Sequence, residues 1–286
     1  MLQLISQVVA NGLMTGMVYV LMALGFTLIF GIMRVVNFAH GELYMIGAFA
    51  ILVLCGTFGV NYYVAVVAAV FIAAIIGVVL EHTLLRRFVG KDLNCMIMAL
   101  AISISLQALA GIFFGPQEQS VARPVTGIFD IGGVIVPRDR IVVGGIALLV
   151  LIAFYVFLRY TRYGLGMRAV AQDPDAAALQ GIRPGIIYAM AFGVGSLLAG
   201  LGGALMAPVY TIFPYMGSVP MMKAFIVVIL GGLGSLPGAV IGGLLLGLVE
   251  SGVASFYNST IATMVAFGLV ILILLFRPNG LMGRRG

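Results

Sequence analysis

His40 and Glu42 stand two residues apart in Val36-Asn-Phe-Ala-His40-Gly-Glu42, a polar interruption between two apolar runs. Ionisable side chains at membrane depth are costly and usually carry function. The H-x-E spacing matches one half of a zinc-deaminase signature, whose other half is a downstream P-C-x-x-C. That second half is absent from the chain, as is any H-E-x-x-H. Two readings remain for the pair. It caps or lines a broken helix, with Asn37 satisfying backbone groups freed at the break, or it sits at the interface that follows Arg34. Glu250 and Asn258 read as marks of helix ends at the outer interface.

Nucleotide hydrolysis within this chain is excluded. A phosphate-binding loop needs Gly-Lys followed by Ser or Thr, and the Gly90-Lys91 pair is followed by Asp92. With two histidines in all, no Ser-His-Asp or Cys-His arrangement finds support. Cys55 and Cys95 lack C-x-x-C spacing and read as small buried hydrophobes. No metal site and no cofactor is expected in the chain.

The elements that position these residues are membrane helices. Of 286 residues, 63% are hydrophobic and 8% charged, against about 25% charged in soluble domains. Mean hydropathy is +1.21. Long continuous apolar runs, not ten-residue alternation, exclude a β-barrel. The net charge of +6 comes from basic residues gathered in loops, the positive-inside pattern and not a nucleic-acid surface. The expected fold is an all-α polytopic membrane protein, one domain over 1–286, with about 7–9 membrane-embedded helical segments. Full or short spans are read at 5–32, 43–57, 63–80, 95–114, 141–157, 186–206 and 261–276. The first contains Gly12-x-x-x-Gly16, which permits close helix approach. The Gly-rich face of 186–206 reads as a packing face. A small hairpin is expected at 128–137, around Gly132-Gly133.

Charge bias sets the orientation. Loops 81–92 and 159–185 and the tail 277–286 are basic and are expected to be cytoplasmic; loop 115–140 and the N-terminus are then external. Parity requires 221–250 to enter and leave from outside. It is either a re-entrant hairpin turning at Gly231-Gly-Leu-Gly234-Ser235-Leu-Pro237-Gly238 or two short tilted spans. The breaks at Asn37–Glu42 and Gly234–Gly238 are followed by Ile46-Gly47 and Ile241-Gly242, a faint internal repeat of the kind that marks a translocation path. Asn37, His40, Glu42, Gly231, Gly234, Ser235 and Pro237 are the candidate path or gate residues.

The stretch Gly166 to Gly185 is polar and coded for a short helix. Asp173 is placed as N-cap with Pro174 at the first helical position. Asp175 puts negative charge in the first turn. Ala176, Ala177, Ala178, Leu179 and Gln180 favour helix, and Gly181 stops it.

Three stretches carry a family resemblance. They are Gly25-Phe-Thr-Leu-Ile-Phe-Gly31 through His40-Gly-Glu42-Leu-Tyr-Met, Arg162-Tyr-Gly164-Leu-Gly166-Met-Arg168 through Asp173-Pro174 and Gly181, and Phe225 through Gly231-Gly-Leu-Gly234-Ser-Leu-Pro237-Gly238. The chain resembles the permease subunits of ATP-binding-cassette importers for branched-chain amino acids, the Liv type, and among them the smaller permease of the pair. The resemblance implies a second permease, two cytoplasmic ATPases that bind ATP and Mg, a periplasmic substrate-binding protein, and a bacterial inner membrane. It also implies that Arg168, Asp173, Pro174, Asp175, Ala176, Ala177 and Gly181 form the ATPase-coupling helix, with Asp175 where Glu is common. Importers of urea, short amides or other amino acids look similar. An ion-driven secondary transporter is the alternative outside the family, and a membrane enzyme finds no nucleophile–base or metal constellation.

Overall fold

The computed structural model describes residues 2–131 and 134–283. Arg284, Arg285 and Gly286 of the basic tail, and Gly132-Gly133 of the expected hairpin turn, lie outside the described residues. The elements run α1 (Leu2–Met33), α2 (His40–Ile51), α3 (Tyr62–Leu80), α4 (Asp92–Phe114), β1 (Ile128–Ile131), β2 (Val134–Pro137), α5 (Arg138–Tyr160), α6 (Arg162–Gln172), α7 (Pro174–Leu179), α8 (Pro184–Met206), α9 (Ser218–Gly231), α10 (Leu236–Phe256) and α11 (Ser259–Phe276). A π-helical turn, Leu52–Thr57, prolongs α2, and another, Glu81–Leu85, prolongs α3. Among the described residues eight helices are long and apolar enough to cross a membrane, and α9 is a shorter apolar helix. The protein is an all-α polytopic membrane protein; among the described residues β1 and β2 pair as a two-stranded antiparallel ribbon.

The breaks between helices have local causes. Arg34 ends α1 with a φ of 55°, a left-handed conformation that L-residues other than Asn, Asp and Gly seldom take. Asn37 then closes a turn: its Oδ1 accepts from the Ala39 N–H at 3.1 Å. Asn258 caps α11 by accepting from Ile261 N at 2.8 Å, the helix-end role read for it. Glu250 is different. The apolar run expected to stop there continues as α10 to Phe256, so Glu250 lies inside a helix of 21 residues and not at its end. That helix is about 32 Å long at 1.5 Å per residue, a full membrane crossing.

The chain divides into two compact units. One comprises residues 28–122 and 150–221 and is built on α2, α3 and α8. Nearly all of α2 is buried, including Leu43, Met45 and Phe49, and the Phe49 ring stacks on Phe114 at 4.4 Å. The α2–α8 crossing is a backbone-to-backbone one: a Cβ at Gly203 would overlap the Tyr44 carbonyl oxygen, and one at Gly47 the Gly200 carbonyl. The Gly-rich face of α8 is therefore a packing face, as its small residues indicate. Outward faces stay apolar, with Phe71 and Ile75 of α3 exposed, as a helix in contact with lipid requires.

The other unit comprises residues 1–27, 123–149 and 222–286, within the described range. Here Gly12 and Gly16 of α1 meet Gly243 and Gly247 of α10; a Cβ on Gly247 would overlap the Gly12 carbonyl oxygen. The small-xxx-small pattern of α1 is thus used for close helix approach. Phe26 packs edge-on against Phe225 at 6.2 Å. Gln7 anchors the ribbon to α1, its side chain exchanging hydrogen bonds with the Ile135 backbone at 2.8 and 2.9 Å.

Candidate functional site

In the unit built on α2, α3 and α8, the first turn of α2 gathers the most polar chemistry at depth. Asn37, His40 and Glu42 are all buried, at 1%, 0% and 2% exposure. Glu42 lies in that first turn and its Oε1 accepts from Ser103 Oγ at 2.9 Å and from Gln107 Nε2 at 2.7 Å, both on α4. Its other oxygen, Oε2, is buried with no hydrogen-bond partner, and so is Asn37 Nδ2. Ser103 and Gln107 were not singled out from sequence; one turn apart on a mostly apolar helix, they form a polar stripe that periodicity would have revealed. Asn37, His40 and Glu42 thus lie buried within the protein at the break between α1 and α2.

The same unit carries the expected coupling segment. Asp173 accepts from the backbone N–H groups of Asp175 at 2.9 Å and Ala176 at 3.0 Å, and Pro174 occupies the first turn of α7. Gly181 has a φ of 82°, the left-handed stop that a side chain would strain. Asp173, Pro174, Asp175 and Ala176 are exposed, while Ala177 is buried and seats the helix. Arg168 donates to the Arg159 carbonyl at 3.3 Å. Sequence reasoning missed α6. Thr161 caps it by accepting from Gly164 N at 3.0 Å, and Met167 and Val170 bury its inner face; its two glycines masked the helical signal. Between α6 and the start of α8 lies an open groove lined by Tyr163, Leu165, Ile182, Arg183 and Ile186. Leu179, at the end of α7, is 88% exposed.

In the other unit, Gly231, Gly234, Ser235 and Pro237 build the α9–α10 turn. Ser235 Oγ accepts from Gly238 N at 3.2 Å, capping α10, and Pro237 lies in its first turn. The chain's tail holds this turn: Leu281 N donates to Leu230 O at 2.8 Å and Met282 N to Gly231 O at 3.0 Å. These bonds satisfy carbonyls that the end of α9 would leave open.

That unit also contains a group the sequence reading overlooked. Lys223 of α9, 4% exposed in its side chain, donates to Glu250 Oε1 at 2.5 Å. Tyr19 OH donates to Glu250 Oε2 at 2.7 Å, and Lys223 Nζ also reaches Thr263 Oγ1 at 3.3 Å. One ion pair therefore ties α1, α9, α10 and α11. The signal was a lysine inside one apolar run and a glutamate inside the next, each too costly to bury alone.

Comparisons with known proteins give this architecture a family. The sequence model described as "Branched-chain amino acid transport system / permease component" matches residues 8–275. The chain is 36% identical to the high-affinity branched-chain amino acid transport system permease protein BraD of Pseudomonas aeruginosa, over 97% of this chain and 95% of that protein. It is 34% identical to the corresponding LivH of Escherichia coli K12, over 96% of this chain and 94% of that protein. To LivM of the same organism, another permease of that system, it is 26% identical over 93% of this chain and 68% of that protein. No solved structure matches the chain. A multi-pass helical protein matched along nearly its whole length, the chain belongs to the family of branched-chain amino acid ABC transport permeases.

Proposed function

We propose that this chain is the smaller permease of a Liv-type importer that moves branched-chain or similar apolar amino acids across a bacterial inner membrane. A second permease completes the pore, two cytoplasmic ATPases supply the energy, and a periplasmic binding protein delivers the cargo. ATP and Mg belong to the ATPases. The observation that carries this reading is α7: a capped, exposed helix between Asp173 and Gly181, beside an apolar groove, on a chain whose sequence has no Gly-Lys-Ser/Thr phosphate-binding loop. A short helix fixed by its cap transmits displacement where a loose loop would absorb it. Arg183 at the groove and the exposed Leu179 supply charge and apolar surface for a partner.

The basic loops put α7 and the tail on the cytoplasmic side and the N-terminus outside. The α9–α10 turn, bonded to the tail through Leu281 and Met282, then faces the cytoplasm. In this orientation α9 descends from the outside, α10 crosses back, and α11 returns.

Affinity purification of the tagged chain from its own membranes tests the assembly: two ATPases and a second permease should come with it, and a chain that transports alone on an ion gradient overturns the reading. Coupling is tested in the reconstituted complex. Gly181→Val strains the stop of α7, and Asp175→Lys reverses the charge in its first turn. Both should leave membrane assembly intact while cutting the uptake of leucine, isoleucine and valine per ATP hydrolysed about tenfold, the scale of one lost charged contact. Wild-type coupling in both variants rejects α7 as the transmitting element, and uptake of urea in place of the amino acids rejects the cargo.

A further inference from the structure

We propose that the start of α2 is the place where the permease reads the main-chain groups of its cargo, Asn37 taking the α-carboxylate and Glu42 the α-ammonium of an amino-acid zwitterion. This rests on the amino-acid cargo proposed above. Asn37 is 1% exposed, and its Oδ1 bond to Ala39 N holds its amide at the helix start. Its Nδ2, a hydrogen-bond donor, has no partner. The His40 and Glu42 N–H groups at this helix start are bonded to the Asn37 and Ala39 carbonyls at 3.2 and 3.1 Å, so the reading donor here is the Asn37 side chain and not the first-turn backbone. A helix N-terminus also suits a carboxylate, because the positive end of the helix dipole favours negative charge.

Glu42, 2% exposed, supplies the opposite charge. Ser103 and Gln107 both donate to Oε1, which fixes the carboxylate and leaves Oε2 without a partner. Among the described residues no Lys or Arg pairs with it. An unmatched buried donor and an unmatched buried acceptor, five residues apart in sequence, complement the two groups that all α-amino acids share. Nothing in this pair reads a side chain, which fits cargo differing only in apolar side chains. The close backbone approach of Gly41 and Gly217 covers this end of α2, and cargo reaches it when that contact parts.

Two substitutions remove one reading group each and keep the local structure. Asn37→Asp retains the Oδ1 acceptor for Ala39 N and replaces the donor with a like charge for the carboxylate. Glu42→Gln retains the acceptor for Ser103 and Gln107 and removes the charge. The permease complex is reconstituted in liposomes with binding protein already loaded with labelled leucine, and uptake and ATP hydrolysis are measured in the same vesicles. Each variant should assemble, hydrolyse ATP near the wild-type rate and carry about tenfold less leucine per ATP, the effect of losing one charged hydrogen bond. Parallel loss of both rates, or loss of neither, in an assembled complex overturns the assignment. A wild-type complex that carries no branched-chain amino acid overturns the functional reading instead, and that control is read before the variants.

Discussion

Glu42 and Glu250 are carboxylates of the same kind in opposite circumstances. Glu250, 17% exposed in its side chain, faces a lysine, a tyrosine hydroxyl and, through the lysine, a threonine. Both its oxygens are matched and its charge is answered. Glu42 is more deeply buried, has only neutral donors, and those converge on one oxygen. Burial makes a charge expensive, and an opposite charge with well-placed hydrogen bonds offsets that cost. Glu250 is therefore a complete fastening between helices. Glu42 is an incomplete one, and its proposed role in reading cargo rests on that difference. Satisfaction, more than burial, distinguishes the two carboxylates.

The comparison can be broken most severely at Glu250. Lys223→Met leaves that carboxylate buried without its counter-charge and is expected to cost about 3–5 kcal/mol of stability, as loss of one partner of a buried pair does. Thermal unfolding of the purified protein measures it. Lys223→Met with Glu250→Leu should recover most of the loss, because an apolar pair of similar volume replaces both charges; a double variant no better than the single one would mean that the pair is not the fastening described.

A third carboxylate marks the exposed end of the scale. Asp173→Ala removes the cap of α7 and should cost about 1 kcal/mol, and Asp173→Asn only a few tenths. The loss is local, so hydrogen exchange over 174–180 is the sensitive reading: faster exchange is expected there in the alanine variant, with α8 unchanged. Glu42→Gln is expected to be mild as well. It keeps the hydrogen bonds to Ser103 and Gln107, and its unfolding temperature should stay within the equivalent of about 0.5–1 kcal/mol of wild type. A large drop would place Glu42 with Glu250 as a fastening and remove the contrast.

Composition alone determined that the chain lives in a bilayer as helices, because in lipid every backbone polar group has to be satisfied within its own segment. Local code also determined α7. Asp173, Pro174 and Gly181 act on backbone groups within a few residues, so their roles are legible without knowing what lies nearby. The same holds for Asn258 at the start of α11. The break at Asn37–Glu42 was equally visible as polar residues between apolar runs.

The partners were not visible. Ser103 and Gln107 reach Glu42 across about sixty positions of sequence, and Lys223 meets Glu250 across the turn that the tail holds. Each such residue looks like an isolated anomaly in a linear reading, and Glu250 reads there as a helix end. Only the tertiary structure decided that one anomaly answers another at Lys223 and Glu250, whereas at Glu42 and Asn37 polar atoms stay unanswered. Apolar periodicity places helices in the membrane, but it carries no information about which rare polar side chain faces which. That pairing depends on helix order, depth and rotation, which are set by contacts such as those of Gly12 with α10 and Gly47 with α8.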